Sequence, residues 1–280
     1  MNASPLNATI VKSAEGTPIA VQEWGNPKGR EILFIHGFNQ SHLSWSRQFS
    51  DPALAREFRM VTYDLRGHGA SGKPLDREAY IADKLWADDL AAVIETAGLK
   101  KPILVGWSYG GRIISDYLRH HGGSRIAGIN YVGARTVNNG SMFGPGRVHF
   151  AKMISENLAT NIEGTHGFLR VCFEKQPDNE DFETMLAFNM VVPAAVRRFI
   201  LDRGTDDGAI LKTIECPVLV THGRADQVLL VTMGEFAKSE IKNATLSLYD
   251  GVGHSTFWED APRFNRELAE FVRGTNQAPS

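Results

Sequence analysis

Short apolar runs alternate with amphipathic stretches along the first half of the chain. Residues 31–35, 60–63, 102–106 and 125–132 have the length of buried strands and are bounded by turn-forming or polar residues. Residues 9–13 and 19–24 flank Glu15-Gly16-Thr17-Pro18 and read as a hairpin-like start. Ile81, Leu85, Trp86, Leu90, Val93 and Ala97 recur mostly four apart, which predicts one helix over 79–97 stopped by Gly98. The pairs Ile113/Tyr117 and Ile114/Leu118 predict another, running to about His121. After Gly133 the pattern changes. Residues 134–147 are loop-like, and 148–203 show helical stretches without a strand. There Asp178 is a capping residue, Pro193 opens a helix and Gly204 closes it. Alternation resumes with strands at 216–221 and 246–249. Phe264, Leu268, Phe271 and Val272 then mark one face of a terminal helix, with a frayed tail from Gly274. This order predicts an α/β protein with one mostly parallel sheet covered by helices on both faces. Its core is 1–133 with 214–280, and 134–213 is an inserted helical cap, or lid.

Ligands of such sheets sit beyond the carboxyl ends of the strands, and the chemistry-bearing residues cluster there. Gly106-Trp107-Ser108-Tyr109-Gly110 lies between the strand ending at 106 and the helix that follows. That is the strand–turn–helix setting of a nucleophile elbow. A structural glycine turn carrying an ordinary serine is the bland alternative. A serine hydroxyl needs a base, and the base needs an orienting acid. Of nine histidines, His254 in Gly251-Val252-Gly253-His254 follows the last strand and is the candidate base. His36 and His68 read as loop braces. Asp226 follows the strand at 216–221 and is the candidate acid, whereas Asp250 reads as a strand end. The oxyanion donors are the backbone N–H groups of Tyr109 and Phe38. Trp107, Phe143, Phe168 and Phe188 are candidate pocket residues, in a cap also rich in Met142, Phe150, Phe173, Met185 and Met190.

Composition narrows the function classes. The 280 residues carry a formal net charge of −2, with 42% hydrophobic and 22% charged residues. No basic block suggests nucleic acid or a membrane surface. No apolar run approaches a membrane span, and the N-terminal residues lack the pattern of a secretory signal. Cys172 and Cys216 read as separate thiols, in keeping with a reducing cytoplasm. No metal-ligand spacing occurs, so neither metal nor cofactor is expected. The expected partner is a small-molecule substrate. Nothing in the sequence chooses between monomer and homodimer.

Taken together, His36-Gly37-Phe38, Asp64-Leu65-Arg66-Gly67-His68-Gly69-Ala70-Ser71, Gly106-Trp107-Ser108-Tyr109-Gly110-Gly111, Asp226 and Gly253-His254 resemble the α/β-hydrolase superfamily over nearly the whole chain. The resemblance implies an eight-stranded sheet with its second strand antiparallel and a helical cap between strands six and seven. It also implies a serine hydrolase. The Gly-Trp-Ser elbow is similar to that of bacterial carboxylesterases, pimeloyl-ester hydrolases included. Epoxide hydrolases and haloalkane dehalogenases place Asp at the elbow, so Ser108 argues against both. The expectation is cleavage of small to medium, largely apolar carboxylic esters through an acyl-enzyme. Perhydrolase or haloperoxidase chemistry, C–C bond hydrolysis, thioester cleavage and hydroxynitrile lyase chemistry share the serine arrangement. A non-catalytic ligand receptor on the same fold is the rival of another class.

Overall fold

Eight strands form one sheet in the order β1-β2-β4-β3-β5-β6-β7-β8 in a computed structural model that describes residues 4–204, 206 and 208–275. They are β1 Asn7–Lys12, β2 Pro18–Gly25, β3 Arg30–Ile35, β4 Phe58–Tyr63, β5 Ile103–Trp107, β6 Gly128–Val132, β7 Val218–Gly223 and β8 Ala244–Tyr249. β2 runs antiparallel to both its neighbours, and all pairings from β4 to β8 are parallel. β5, β6 and β7 are buried at every position, as expected for strands covered on both faces. The edge strand β1 is exposed at all but Val11, which matches its more polar sequence.

Three departures from the sequence reading have local causes. The strand expected from 125 begins at Gly128. Ahead of the ladder, the Ala127 N–H donates to Pro102 O at 3.0 Å. The helix expected over 79–97 is two, Glu78–Ile81 and Asp83–Thr96, separated by extended Ala82 (φ −72°, ψ 130°). The buried Arg66 guanidinium lies across this break. It donates to Ala79 O and Leu85 O while gripping Asp89 with two bonds of 2.7 and 2.8 Å. The helix expected to close at Gly204 ends at Leu201. The frayed tail predicted from Gly274 falls mainly on residues 276–280, which lie outside the described residues.

Between β6 and β7 the described chain forms helices and no named strand. The main helices are Leu158–Val171, Asn179–Met190 and Ala194–Leu201. Asp178 caps the second, accepting from the Asp181 N–H, as its sequence position predicts. Arg197 locks the three together. It is fully buried and donates to Val192 O, Asn189 O, Met153 O, Asn161 Oδ1 and Thr165 Oγ1. Burial lowers its pKa to about 10, and neutral oxygens rather than a carboxylate satisfy it. Among the described residues no single helix is long and apolar enough to cross a membrane; the pair 179–190 and 194–201 reaches that length only across an 80° bend.

Two loops at the carboxyl edge are stitched together by buried histidines. His36 Nε2 accepts the Leu65 N–H, and His68 Nε2 accepts the Asn39 N–H. Their Nδ1 atoms face Gly37 O and Arg66 O, so both rings serve as neutral donor–acceptor bridges. Burial lowers the His36 pKa to about 4 and the His68 pKa to about 3. Each ring stays neutral in the fold while its unfolded counterpart takes a proton below pH 6.5. Stability is therefore full above pH 6.5 and falls as pH drops toward 4, by ~1.4 kcal/mol per pH unit for each ring. Asp89, pushed up to about 6 by burial against the pull of Arg66, works in the opposite direction over the same range. Comparison with His68→Gln isolates the histidine contribution. Urea unfolding between pH 7 and 5 should show a shallower loss of stability with acid in the variant, and equal slopes would falsify the assignment.

Candidate active site

The elbow is built from β5 and the helix Tyr109–His121. Ser108 between them has φ 53° and ψ −115°, one of two non-glycine residues with positive φ among the described residues. Such a conformation costs ~1–3 kcal/mol and persists only where the surroundings impose it. Three backbone bonds impose it here. The Ser108 N–H donates to Val132 O at 3.0 Å, and Ser108 O accepts from the Gly111 N–H at 3.0 Å and the Arg135 N–H at 2.8 Å. The flanking glycines are needed for proximity rather than for positive φ. A Cβ on Gly110 would stand 2.6 Å from Ile35 O, and one on Gly106 would stand 3.0 Å from the Gly110 backbone. The sequence reading assigned the tightness of the turn to these glycines; the strained residue is the serine itself.

Asp226 and His254 arrive from the loops after β7 and β8. His254 Nδ1 lies 2.7 Å from Asp226 Oδ2, and both side chains are buried. An ionised carboxylate only accepts, so the proton is on Nδ1 and Nε2 carries a lone pair. That Nε2 is buried without a hydrogen-bond partner among the described residues. Asp226 Oδ1 accepts the N–H groups of Val228 and Leu229 at 2.8 and 2.9 Å. Burial pushes the Asp226 pKa up, but the imidazoles of His254 and His222 outweigh it, leaving the carboxyl far below its usual range.

Gly133 lies between the backbone of Ser108 and the His254–Asp226 pair. It follows Val132, whose carbonyl holds the Ser108 N–H. A Cβ placed on Gly133 would stand 3.2 Å from His254 Nδ1 and 3.4 Å from Asp226 Oδ2. On the other flank, a Cβ on Gly37 would stand 3.1 Å from Ser108 Cβ. The loop carrying Phe38 thus lies directly against Ser108. The backbone N–H groups of Phe38 and Tyr109 enter none of the loop and cap hydrogen bonds. Ser108 Oγ makes no hydrogen bond to His254 Nε2, a contact that apo sites often leave long.

A cavity of about 50 Å³ opens beside Ser108, lined by Phe38, Tyr109, Arg135, Phe143, Phe150, Phe168 and aliphatic residues 201, 228 and 229. Of the four predicted pocket aromatics, Phe143 and Phe168 line it. Trp107 and Phe188 do not: they border a separate hollow of about 10 Å³ with Phe173, Met185 and Phe257. The Trp107 Nε1–H donates to His254 O at 3.1 Å, which turns the indole away from the Ser108 cavity and against His254. Larger surface hollows of about 440 and 450 Å³, at Lys101–Cys216 and Asp51–Arg273, do not include Ser108.

Sequence reasoning gave no role to two residues of this site. His222, at the end of β7, places Nε2 2.9 Å from Leu229 O and 3.2 Å from Asp226 Oδ2, a second N–H on the acid. Its position four residues before Asp226 was the available signal. Arg135 follows the bend after β6 and had no signal in a segment that reads as loop.

A parallel sheet with a strained serine after β5 and a buried His–Asp pair from the last two strand ends defines a class, and the whole-chain comparisons agree with it. The chain belongs to the alpha/beta hydrolase family, which matches residues 32–267. A solved Burkholderia cenocepacia structure, provisionally described as an aryl esterase, is similar at 39% identity and TM-score 0.91, covering 95% of this chain and 98% of its own. An esterase from Rhodococcus sp. ECU1013 is similar at 31% identity and TM-score 0.90, covering 96% and 99%. A non-heme haloperoxidase from Rhodococcus erythropolis is 29% identical over 94% of this chain and 98% of its own.

The steric account of the elbow makes a prediction. Gly110→Ala forces a methyl onto Ile35 O and should lower stability by ~1–3 kcal/mol, read as a drop in Tm. A variant as stable as wild type would show that the turn tolerates the methyl.

Proposed function

We propose that this protein is a serine hydrolase that cleaves carboxylic esters through an acyl-enzyme. The observation that carries the reading is the buried His254–Asp226 bond, which leaves Nε2 as a free base on the rim that holds Ser108. Ser108 Oγ attacks the ester carbonyl as His254 Nε2 takes its proton. Asp226 keeps the ring oriented and stabilises the imidazolium. The N–H groups of Phe38 and Tyr109 receive the oxyanion, each such donor contributing ~3–4 kcal/mol to the transition state. The positive end of the helix Tyr109–His121 faces the same point. The alcohol departs with the proton from His254, and water, activated by the same base, frees the acid and restores Ser108. No metal or cofactor enters this scheme.

The aromatic cavity favours an acyl group of modest size, and residues 134–213 act as its cap. Phe143, Phe150 and Phe168 come from that segment and reach the cavity, and the Phe150 ring packs edge-on against Phe38 with centroids 5.7 Å apart. The free thiols of Cys172 and Cys216 fit a cytoplasmic enzyme. A second reading uses the same acyl-enzyme with hydrogen peroxide as acceptor, giving a peracid. It is favoured by similarity to the haloperoxidase and to an Acinetobacter calcoaceticus protein named as a bifunctional esterase/perhydrolase, 27% identical over 94% of this chain.

Wild type should hydrolyse p-nitrophenyl acetate or butyrate and take up a fluorophosphonate on Ser108, while Ser108→Ala loses both. Equal rates in the two would remove Ser108 from the mechanism. Asp226→Asn should lower kcat by roughly 10⁴ by letting the imidazole adopt the wrong tautomer. A loss below tenfold would show that another group orients the base.

A further inference from the structure

The cavity beside Ser108 is aromatic and aliphatic except at one place, where Arg135 stands in its wall. This guanidinium lies 5.5 Å from the centre of the Phe143 ring, and Arg147 lies 4.6 Å from the same ring. Neither arginine has a carboxylate within 4.0 Å among the described residues, whose ion pairs lie elsewhere. Arg135 makes one side-chain hydrogen bond, Nη2 to Asn138 Oδ1 at 3.0 Å, and its buried Nε has no partner. Arg135 is half-buried; Arg197, which is fully buried, is satisfied at every nitrogen by oxygens. The contrast shows what this chain does with a buried guanidinium whose role is structural.

The charges behind Arg135 also favour an anion. Burial first, then Arg112 and Arg203, lower the Arg135 pKa to about 10 against the opposing influence of Tyr109 and Asp206. Among the described residues Arg112 bonds only to Gly204 O, and its buried Nε and Nη1 have no partner there. Arg203 binds Tyr109 Oη and Asp116, each at 2.6 Å. Arg119 takes Asp206, the other face of Asp116 and, at 3.5 Å, surface Asp83. Guanidiniums 112, 119, 135 and 203 thus outnumber the buried carboxylates of this wall, Asp116 and Asp206, among the described residues. Arg135 is left with a neutral amide oxygen as its one side-chain partner among the described residues, and an incoming carboxylate can accept two parallel N–H bonds from it.

We propose that Arg135 is the subsite for a second, ionised carboxylate on the acyl group, so that the preferred substrates are monoesters of dicarboxylic acids. The inference rests on the serine-hydrolase reading above and names its substrate class. The ester carbonyl sits at Ser108. The acyl chain crosses the aromatic cavity, and its far carboxylate meets Arg135, with Arg147 adding long-range attraction at the mouth. Hydrolysis breaks the acyl–oxygen bond, releases the alcohol, and gives the dicarboxylate after water attacks the acyl-enzyme.

The test compares p-nitrophenyl hydrogen adipate with p-nitrophenyl adipamate, which replaces the far carboxylate by a neutral amide of the same shape. Wild type should prefer the acid by roughly tenfold or more in kcat/KM, mostly through KM. Arg135→Gln should bring that ratio close to one, and Arg135→Lys should restore part of it. The ratio divides out any general loss in the variants, and the wild-type ratio alone decides should neither variant fold. A wild type that treats both esters alike, or an Arg135→Gln variant that keeps the preference, overturns the proposal while leaving the esterase reading intact. If neither ester is cleaved and a fluorophosphonate does not label Ser108, the esterase reading fails as well, and the two failures are told apart by that label.

Discussion

Ser108 is held in a backbone conformation that a serine does not choose by itself. Its amide is pinned to β6 and its carbonyl is pinned by the amides of Gly111 and Arg135. Those bonds exist only because β5 and β6 pair in parallel with Trp107 opposite Val132. The register of the sheet therefore sets the backbone direction at Ser108. It also sets the approach of Gly37 and Gly133, which bring the Phe38 loop and the His–Asp pair to the same point. The strain is offset by a ladder whose strands are buried on both faces, so little else in the chain can relax it.

Around this point the chain uses buried imidazoles in two ways. His36 and His68 are neutral struts between loops, each accepting a backbone N–H on one nitrogen. His42 packs against Asp64, which also accepts the Ala70 N–H and keeps its charge in spite of burial. Asp226 is served by two rings. His254 keeps Nε2 without a hydrogen-bond partner among the described residues, while His222 is tied to Leu229 O. One carboxylate thus has backbone amides on one oxygen and imidazoles on the other, which fixes both its charge and its direction.

The arginines divide along similar lines. Arg66 and Arg197 are buried and saturated, and each stabilises a local structure: a broken helix in one case, the junction of three helices in the other. Arg112 and Arg203 are buried, Arg135 is half-buried in the cavity wall, and each has a buried nitrogen without a partner among the described residues. Unpaired donors next to an apolar hollow are an unfavourable arrangement for stability alone. That cost is sensible where a ligand supplies the missing acceptors.

The sequence alone determined the strand–helix alternation, because apolar runs and helical spacing are local properties. It also determined the Ser108–Asp226–His254 order, because each residue stands just past a strand end, and strand ends in a parallel sheet share one rim. The eight-stranded sheet and its antiparallel second strand followed from resemblance and agree with the structure. Contacts between distant segments were not legible. Arg66 breaks a helix that is continuous by periodicity, Trp107 turns toward His254 and out of the Ser108 cavity, and Phe188 lines a different hollow. His222 and Arg135 carry no local mark of their roles, because those roles lie in which carboxylate, ring or empty space the folded chain sets beside them. Periodicity records which face of an element is buried; only the tertiary structure decides against what it is buried, and that neighbour gives a buried polar group its chemistry.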